Sequence, residues 1–254
     1  MAIRPYILAE TNWKNIQSQP YEVAVFPWGA TEAHNYHLPY ATDTIQCDHL
    51  TAAAAKVAWE AGARVIVLPT VPFGVQTGQL DIPFCLNINP STQAAILADL
   101  AKSLDGNGVR KLVILNGHGG NDFRQMIREL QPRVKLFLCT VNWYRIVDTR
   151  PYFNEAGDHA GEMETSLMMH FVPGLVLPLS EAGDGHERKP RIAAFRDGWA
   201  WTPRPWTKIS ADTGVGDPRA ASAIKGSTFA GAVAKQLGRF LIDLAAADTS
   251  NLYE

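Results

Sequence analysis

The sequence predicts an α/β protein in which helices cover both faces of a mostly parallel sheet, giving three α/β/α layers. Short, continuously apolar runs alternate with longer runs of helix-forming residues, and such apolar runs are typical of buried parallel strands. The residues with catalytic potential follow these runs, where open α/β sheets carry their sites. No linker, repeat or low-complexity tract divides the chain, so we expect a single domain over residues 1–254.

The elements are assigned in chain order. The first 20 residues carry only weak helical signals, and residues 172–218 lack clear periodicity. The loop 69–90 is long and rich in Gly, Pro, Asn and Gln, and loops of this length in compact domains are usually functional. Strands are predicted at 22–28, 64–68, 111–115 and 134–141. Helices are predicted at 44–61, at 91–104 with Ser91 as N-cap, from after residue 121 to 130, from an opening segment 156–166 to 171, and at 219–246.

Composition excludes several classes of partner. The net charge of -2 gives no electrostatic reason to expect nucleic acid or an acidic membrane surface. Three scattered cysteines provide neither a disulfide framework nor a thiolate zinc site. No apolar window reaches the length of a membrane span, and the first residues lack a signal-peptide core. We therefore expect a cytoplasmic protein.

The segment 27–43 is the first candidate for a metal site. Glu32 and His34 are two residues apart, so on extended backbone their side chains point the same way. Asp43 adds a second carboxylate. Carboxylate and imidazole together suit a divalent cation, although a polar loop with chance histidines is the alternative interpretation.

The turn 116–121, Asn-Gly-His-Gly-Gly-Asn, is the second candidate. Its glycines allow the backbone to approach a ligand closely, so the N–H groups of Gly119 and Gly120 could hold a developing oxyanion. His118 in the middle of this turn favours a ligand or catalytic role. A phosphate-binding loop is the rival interpretation, but the turn has neither the Walker nor the dinucleotide glycine spacing.

The third candidate is the segment 158–164. His159 and Glu162 are three residues apart and would share a face at a helix start, whereas Glu164 would lie on another side and support the site rather than bind metal. The alternative is a helix whose first acids only complement its dipole. Three such loops together contain too many acids and imidazoles for one structural zinc. A pair of divalent cations bridged by Asp43 fits the count, and Zn, Mn and Fe all suit nitrogen and oxygen ligands.

These segments carry a resemblance to the creatininase family. The matching stretches are Gly-Ala-Thr-Glu-Ala-His at 29–34, His-Leu-Pro at 37–39, Thr-Asp at 42–43, the turn 116–121, His-Ala-Gly-Glu-Met-Glu-Thr-Ser at 159–166 and Gly-Val-Gly-Asp-Pro at 214–218. The resemblance implies an α/β fold, a two-metal centre and a homo-oligomer, often a hexamer. It also implies hydrolysis of a C–N bond, commonly in a cyclic amide, by a water that the metals activate.

The resemblance also implies roles for individual residues. Glu32 and His118 would bind one metal, His34 would bind the other and Asp43 would bridge them. Asp158 and His159 match the positions of proton transfer. Creatininase proper has a Glu two residues after the His of the turn, where this chain has Gly120. Glu162 is expected to replace that ligand.

Substrate contacts are expected from Gly119, Gly120, Gln76 and Trp143. Trp143 and the aromatic segment 196–206 would wall the substrate pocket or, alternatively, belong to the core or a subunit interface. The predicted activity is hydrolysis of a small cyclic amide or a formamide. The alternatives are peptide trimming, ring opening of an oxidised inositol, and metal-dependent binding without catalysis.

Overall fold

The computed structural model describes residues 3–253. Its sheet has four parallel strands in the order β2-β1-β3-β4. Trp28, Asn116 and Asn142 are aligned across the ends of three neighbouring strands, so the loops that follow leave the sheet at the same edge. The strands are β1 Val23–Trp28, β2 Val65–Val67, β3 Lys111–Asn116 and β4 Phe137–Asn142.

Helices cover both faces of this sheet. They are α1 Trp13–Gln17, α2 Thr42–Glu60, α3 Pro90–Gly106, α4 Arg124–Leu130, α5 Glu162–Phe171, α6 Ala193–Arg196, α7 Trp206–Ile209 and α8 Ala223–Ala246. Helices α2, α5 and α8 pack on one face, and α3 and α4 pack on the other. The predicted three-layer α/β fold with a parallel sheet is therefore confirmed. Within residues 3–253, no helix combines the length and the apolar character that a membrane span requires.

The first strand shows why its sequence is continuously apolar. Val23 and Val25 join the core beneath α2 and α8, whereas Ala24, Phe26 and Trp28 join the core beneath α3. Successive side chains of a strand point to opposite faces, and here both faces are covered by helices. The apolar run thus serves two hydrophobic cores at once.

Several helix boundaries differ from the predictions. Helix α3 has Asn89 rather than Ser91 as its N-cap, because Pro90 occupies the first helical position, where its missing N–H costs no hydrogen bond. The closing helix begins after a 3₁₀ turn at Pro218–Ala220, and the Ser222 side chain caps it by accepting a hydrogen bond from the Lys225 N–H.

Helix α5 begins at Glu162, whereas the predicted helix start includes His159. His159 instead forms an antiparallel bridge with Val215, and the intervening Ala160 has a positive φ of 51°. The two hydrogen bonds of this bridge hold residue 159 in extended backbone. His159 and Glu162 consequently do not share a helical face.

Helices α5 and α8 approach closely at Gly226. A Cβ added to this residue would lie 1.9 Å from the Ser166 carbonyl oxygen of α5. Gly231, further along α8, has no heavy atom within 4 Å of the corresponding position. One glycine therefore permits close helix packing, whereas the other faces open space.

We expect Gly226→Ala to destabilise the protein by about 1–3 kcal/mol, because the added methyl forces α8 away from α5. The matched control Gly231→Ala should stabilise the protein by about 0.5–1 kcal/mol through helix propensity alone. Urea unfolding followed by circular dichroism measures both changes. Equal effects of the two substitutions would contradict the close packing at Gly226.

Candidate metal centre

The loop between β1 and α2 supplies three of the candidate ligands. Gly29 begins this loop, and a Cβ there would lie 2.7 Å from the Thr44 nitrogen, so the loop passes directly against the start of α2. Glu32 and His34 follow in the loop, and Asp43 lies in the first turn of α2. All three side chains are buried, although each is ionisable.

His118 comes from the loop after β3. The Asn116 side chain closes this turn by accepting a hydrogen bond from the His118 N–H at 3.1 Å and donating to the His118 carbonyl at 2.9 Å. Gly117 packs against the Cys47 sulfur, where no Cβ would fit. The turn therefore holds the imidazole above the sheet edge beside the first loop.

The remaining candidate ligands are His159, which precedes α5, and Glu164, which lies in the first turn of α5. The bridge to Val215 fixes His159, and Gly216, at φ 116°, packs its backbone against Gly157. The Gly-Val-Gly-Asp-Pro motif at 214–218 therefore packs against the segment that carries His159 and fixes its backbone. The Glu164 carboxylate accepts a hydrogen bond from the Ala160 N–H at 2.5 Å.

These six side chains converge on one buried cluster. His118 Nδ1 lies 2.8 Å from a Glu32 oxygen and 3.1 Å from Asp43 Oδ2, and His34 Nε2 lies 3.0 Å from Asp43 Oδ1. Their ligand atoms form overlapping triplets within 4.8 Å, each able to hold a cation: Glu32, Asp43 and His118; His34, Asp43 and Glu164; Glu32, His34 and His159.

The histidines have the orientation that metal ligands adopt. One ring nitrogen of each donates to a backbone carbonyl, and the other faces a carboxylate: His34 Nδ1 to Glu32 at 3.1 Å, His118 Nε2 to Val75 at 2.9 Å and His159 Nε2 to Ala33 at 2.8 Å. A carbonyl can only accept, so an N–H is fixed at that end and the opposite nitrogen faces the cluster, where it could bind a cation once deprotonated. The donor set fits a divalent cation.

The electrostatics of the cluster favour the same conclusion. Burial lowers the pKa of His34, but the charge and hydrogen bond of Asp43, with the charges of Glu164 and Glu32, together outweigh burial and raise the pKa to about 10. Burial raises the pKa of Glu164 to about 7, and burial with the nearby His34 lowers that of His159 to about 4. The pKa of His118 is also raised well above its usual value, mainly by the Glu32 charge and by the contacts with Asp43 and Glu32, which together outweigh burial. Protonated imidazoles therefore oppose the buried carboxylates, and a divalent cation could take over that charge.

A cavity of about 220 Å³ opens onto the cluster. Asp158 lies at its rim with a 57% exposed side chain, and Arg204 donates to this carboxylate at 2.6 Å. Arg204 also stacks on Trp206, whose ring centroid lies 4.6 Å from that of His159. The lining residues are Glu32, Asp43, Gly117, His118, Gly119, Tyr144, Thr149, Ala156, Gly157, Asp158, His159, Met163 and Glu164.

The position of Glu162 corrects the expectation that it is a metal ligand. Its carboxylate accepts hydrogen bonds from the N–H groups of Asn154 at 2.9 Å and Glu155 at 3.0 Å, and from the Lys225 ammonium. Because α5 starts later than predicted, Glu164 rather than Glu162 faces the cluster. Glu164, expected only to support the site, is the acid of this pair that could bind a cation.

Three expected substrate contacts also require correction. Trp143 is completely buried in the core, and Tyr144 lines the cavity instead. Gln76 donates to the Thr31 carbonyl at 2.5 Å and builds the loop. Gly120 does not line the cavity and packs instead against Val75, where a Cβ would lie 2.0 Å from the carbonyl oxygen. Gly119 does line the cavity.

We expect metal binding to release protons, because a cation must displace the proton that the raised pKa keeps on His34. Affinity should therefore increase as the pH rises from about 6 to about 9, with roughly one or two protons released near neutral pH. Calorimetric titration of metal-free protein in two buffers of different ionisation enthalpy measures this release. His186→Gln, outside the cluster, should behave like the wild type; equal heats in both buffers would contradict the expectation.

Comparison with known proteins reveals relatives over most of the chain. The family model described as Creatininase: Creatinine amidohydrolase matches residues 9–241. The creatinine amidohydrolase of Pseudomonas putida is 27% identical over 232 residues, covering 81% of this chain and 87% of the relative. The mycofactocin precursor peptide peptidase of Mycobacterium ulcerans is 26% identical over 213 residues, covering 80% and 77%.

Solved structures agree with these matches. A Bacteroides fragilis protein provisionally classed as a creatinine amidohydrolase is 41% identical with a TM-score of 0.91, covering 98% of this chain and 99% of the other. Creatininase structures described as Zn–Zn and Mn forms share the fold at 22% and 21% identity, each with a TM-score of 0.77 and coverage of 95% and 99%. The resemblance found in the sequence is thereby confirmed. The chain belongs to the creatininase family of metal-dependent hydrolases.

Proposed function

We propose that the cluster holds two divalent cations bridged by Asp43 and that the protein hydrolyses a C–N bond of a small cyclic amide or formamide. The orientation of the Asp43 carboxylate carries this proposal, because its two oxygens face different histidines: Oδ1 faces His34 and Oδ2 faces His118. Carboxylates placed in this way bridge cation pairs about 3.5–4 Å apart. Glu32 and His118 would complete one site, and His34 and Glu164 the other.

The ligand types and charges support this assignment. Nitrogen and oxygen donors without thiolate suit Zn, Mn or Fe. Relatives of the same fold have been solved in Zn–Zn and Mn forms. Two divalent cations would turn the excess negative charge of Glu32, Asp43 and Glu164 into a small net positive charge, which favours a developing oxyanion.

When bound, such a pair of cations lowers the pKa of water and polarises a carbonyl group. The protein's own groups would then position the substrate and move protons. His159 Nδ1, free of any backbone hydrogen bond, would take up the proton that the attacking water loses and, with Asp158 at the rim, relay it to the leaving nitrogen. An amine leaves poorly unless it is protonated, so this transfer would assist C–N cleavage. The Gly119 backbone lies where it could contact the substrate carbonyl.

The cavity size favours a small substrate. Pockets that bind drug-sized ligands have volumes of about 300–1,000 Å³. This cavity has a volume of about 220 Å³. A second candidate is peptide trimming, because an open groove of about 690 Å³ shares Gly157 and Asp158 with the cavity and could hold the rest of a longer chain. The relative from Mycobacterium ulcerans acts on a peptide.

Metal content tests the cation pair. We expect two equivalents per wild-type chain after loading with Zn or Mn, and about one in Glu164→Gln, because that substitution removes a carboxylate from one triplet only. Glu162→Gln is the matched control and should keep both, since its carboxylate faces Lys225. Plasma mass spectrometry gives these ratios. Loss of metal in Glu162→Gln but not in Glu164→Gln would reverse the assignment.

Substrate screening tests the chemistry. Metal-loaded protein should open at least one cyclic amide to a product that carries both a carboxylate and an amine, or release formate and an amine from a formamide, as detected by nuclear magnetic resonance. Asp43→Asn should abolish this activity together with metal binding, since both sites share the carboxylate. Turnover of short peptides alone would favour peptide trimming. Hydrolysis of neither class by the loaded protein would favour ring opening of an oxidised inositol or binding without catalysis.

A further inference from the structure

The loop 69–90 is hydrogen-bonded to the loop between β1 and α2, which carries Glu32 and His34. The Thr31 carbonyl accepts from the Gln76 side chain and from the Leu86 N–H at 3.0 Å, and the Thr31 hydroxyl donates to the Pro72 carbonyl at 2.7 Å. These contacts hold the backbone beside Glu32. The side chain of Glu32 is held separately.

Gln79 contacts the Glu32 carboxylate directly. It is completely buried, and its Nε2 donates to Glu32 Oε2, whereas Glu32 Oε1 faces His118. The Gln79 side chain is not among the candidate ligands and does not line the cavity. It therefore acts on Glu32 from the side opposite to the cluster.

Cys85 determines which end of the Gln79 amide faces Glu32. The Cys85 thiol donates to Gln79 Oε1 at 3.0 Å and accepts from the Ala33 N–H at 3.3 Å. An amide has a donating end and an accepting end, so satisfying Oε1 at the thiol leaves Nε2 for the carboxylate. Without the thiol hydrogen, the buried Oε1 would lose its partner and the amide could rotate.

Rotation of the amide would change the charge environment of Glu32. Oε1 would then face a carboxylate that can only accept, and the two oxygens would repel each other. The most direct relief is movement of Glu32 away from the position it shares with His118. The outer hydrogen bonds of metal ligands typically contribute 10–100-fold to metal affinity.

We propose that Gln79 and Cys85 are positioning residues that hold Glu32 in its metal-binding orientation. This inference rests on the proposed function, because it requires Glu32 to be a ligand. It assigns a purpose to the long loop 69–90, which reaches the metal centre without binding metal. The hydrogen bonds run from the Ala33 N–H to Cys85, from Cys85 to Gln79 and from Gln79 to Glu32. Because Ala33 follows Glu32 in the sequence, these contacts begin and end on the same short segment.

The test compares metal affinity in Cys85→Ala and Cys85→Ser. Alanine removes the donor, whereas serine restores a hydroxyl donor of similar size. We expect Cys85→Ala to bind Zn about 10–100-fold more weakly than the wild type, and Cys85→Ser to recover most of this loss. Competition with a chromophoric chelator gives the dissociation constants, and the melting temperatures of the metal-free proteins show whether the fold itself has changed.

Equal affinities of Cys85→Ala and the wild type, or equally weak binding by both variants, would overturn the inference while leaving the proposed function intact. If Cys85→Ala does not fold, Gln79→Met provides the second measurement. Methionine matches the length of glutamine and removes both hydrogen bonds, so it should show the same 10–100-fold loss, and unchanged affinity would overturn the inference. Failure of the wild type to bind any Zn would instead overturn the proposed function.

Discussion

Burial of three carboxylates beside three imidazoles is the constraint on which the rest of the structure depends. Without cations, these carboxylates depend on protonated imidazoles for the opposing charge, in a region from which water is largely excluded. The fold stabilises it by fixing each imidazole through a backbone carbonyl, so that every free nitrogen already faces the cluster. The carbonyls belong to Glu32, Ala33 and Val75, which lie on two loops that clasp each other. The two loops that pack against each other therefore also orient the three imidazoles.

The fold could be predicted from the sequence because strands of a parallel sheet that are buried on both faces are continuously apolar. The same regularity placed Glu32, Asp43 and His118 near each other, since they follow strands that end at one edge. These inferences need only the period of a strand and the polarity of a sheet. They do not require knowledge of any long-range contact.

The third part of the site was less accessible from the sequence. The choice between Glu162 and Glu164 depends on where α5 begins, and that point is set by the bridge between His159 and Val215, more than fifty residues further along the chain. Helical spacing applied to the wrong starting residue selects the wrong acid. The roles of Gln79 and Cys85 were hidden for the same reason, because their contacts cross from one loop to another.

The close approach of Gly120 to Val75 has a consequence for how ligand sets change within this family. A Glu at position 120 would require the backbone of the loop 69–90 to retreat, yet that backbone also orients His118 through the Val75 carbonyl. A carboxylate at position 120 would therefore require linked changes in the turn and in the loop, so the small residue and the loop backbone would be inherited as a unit.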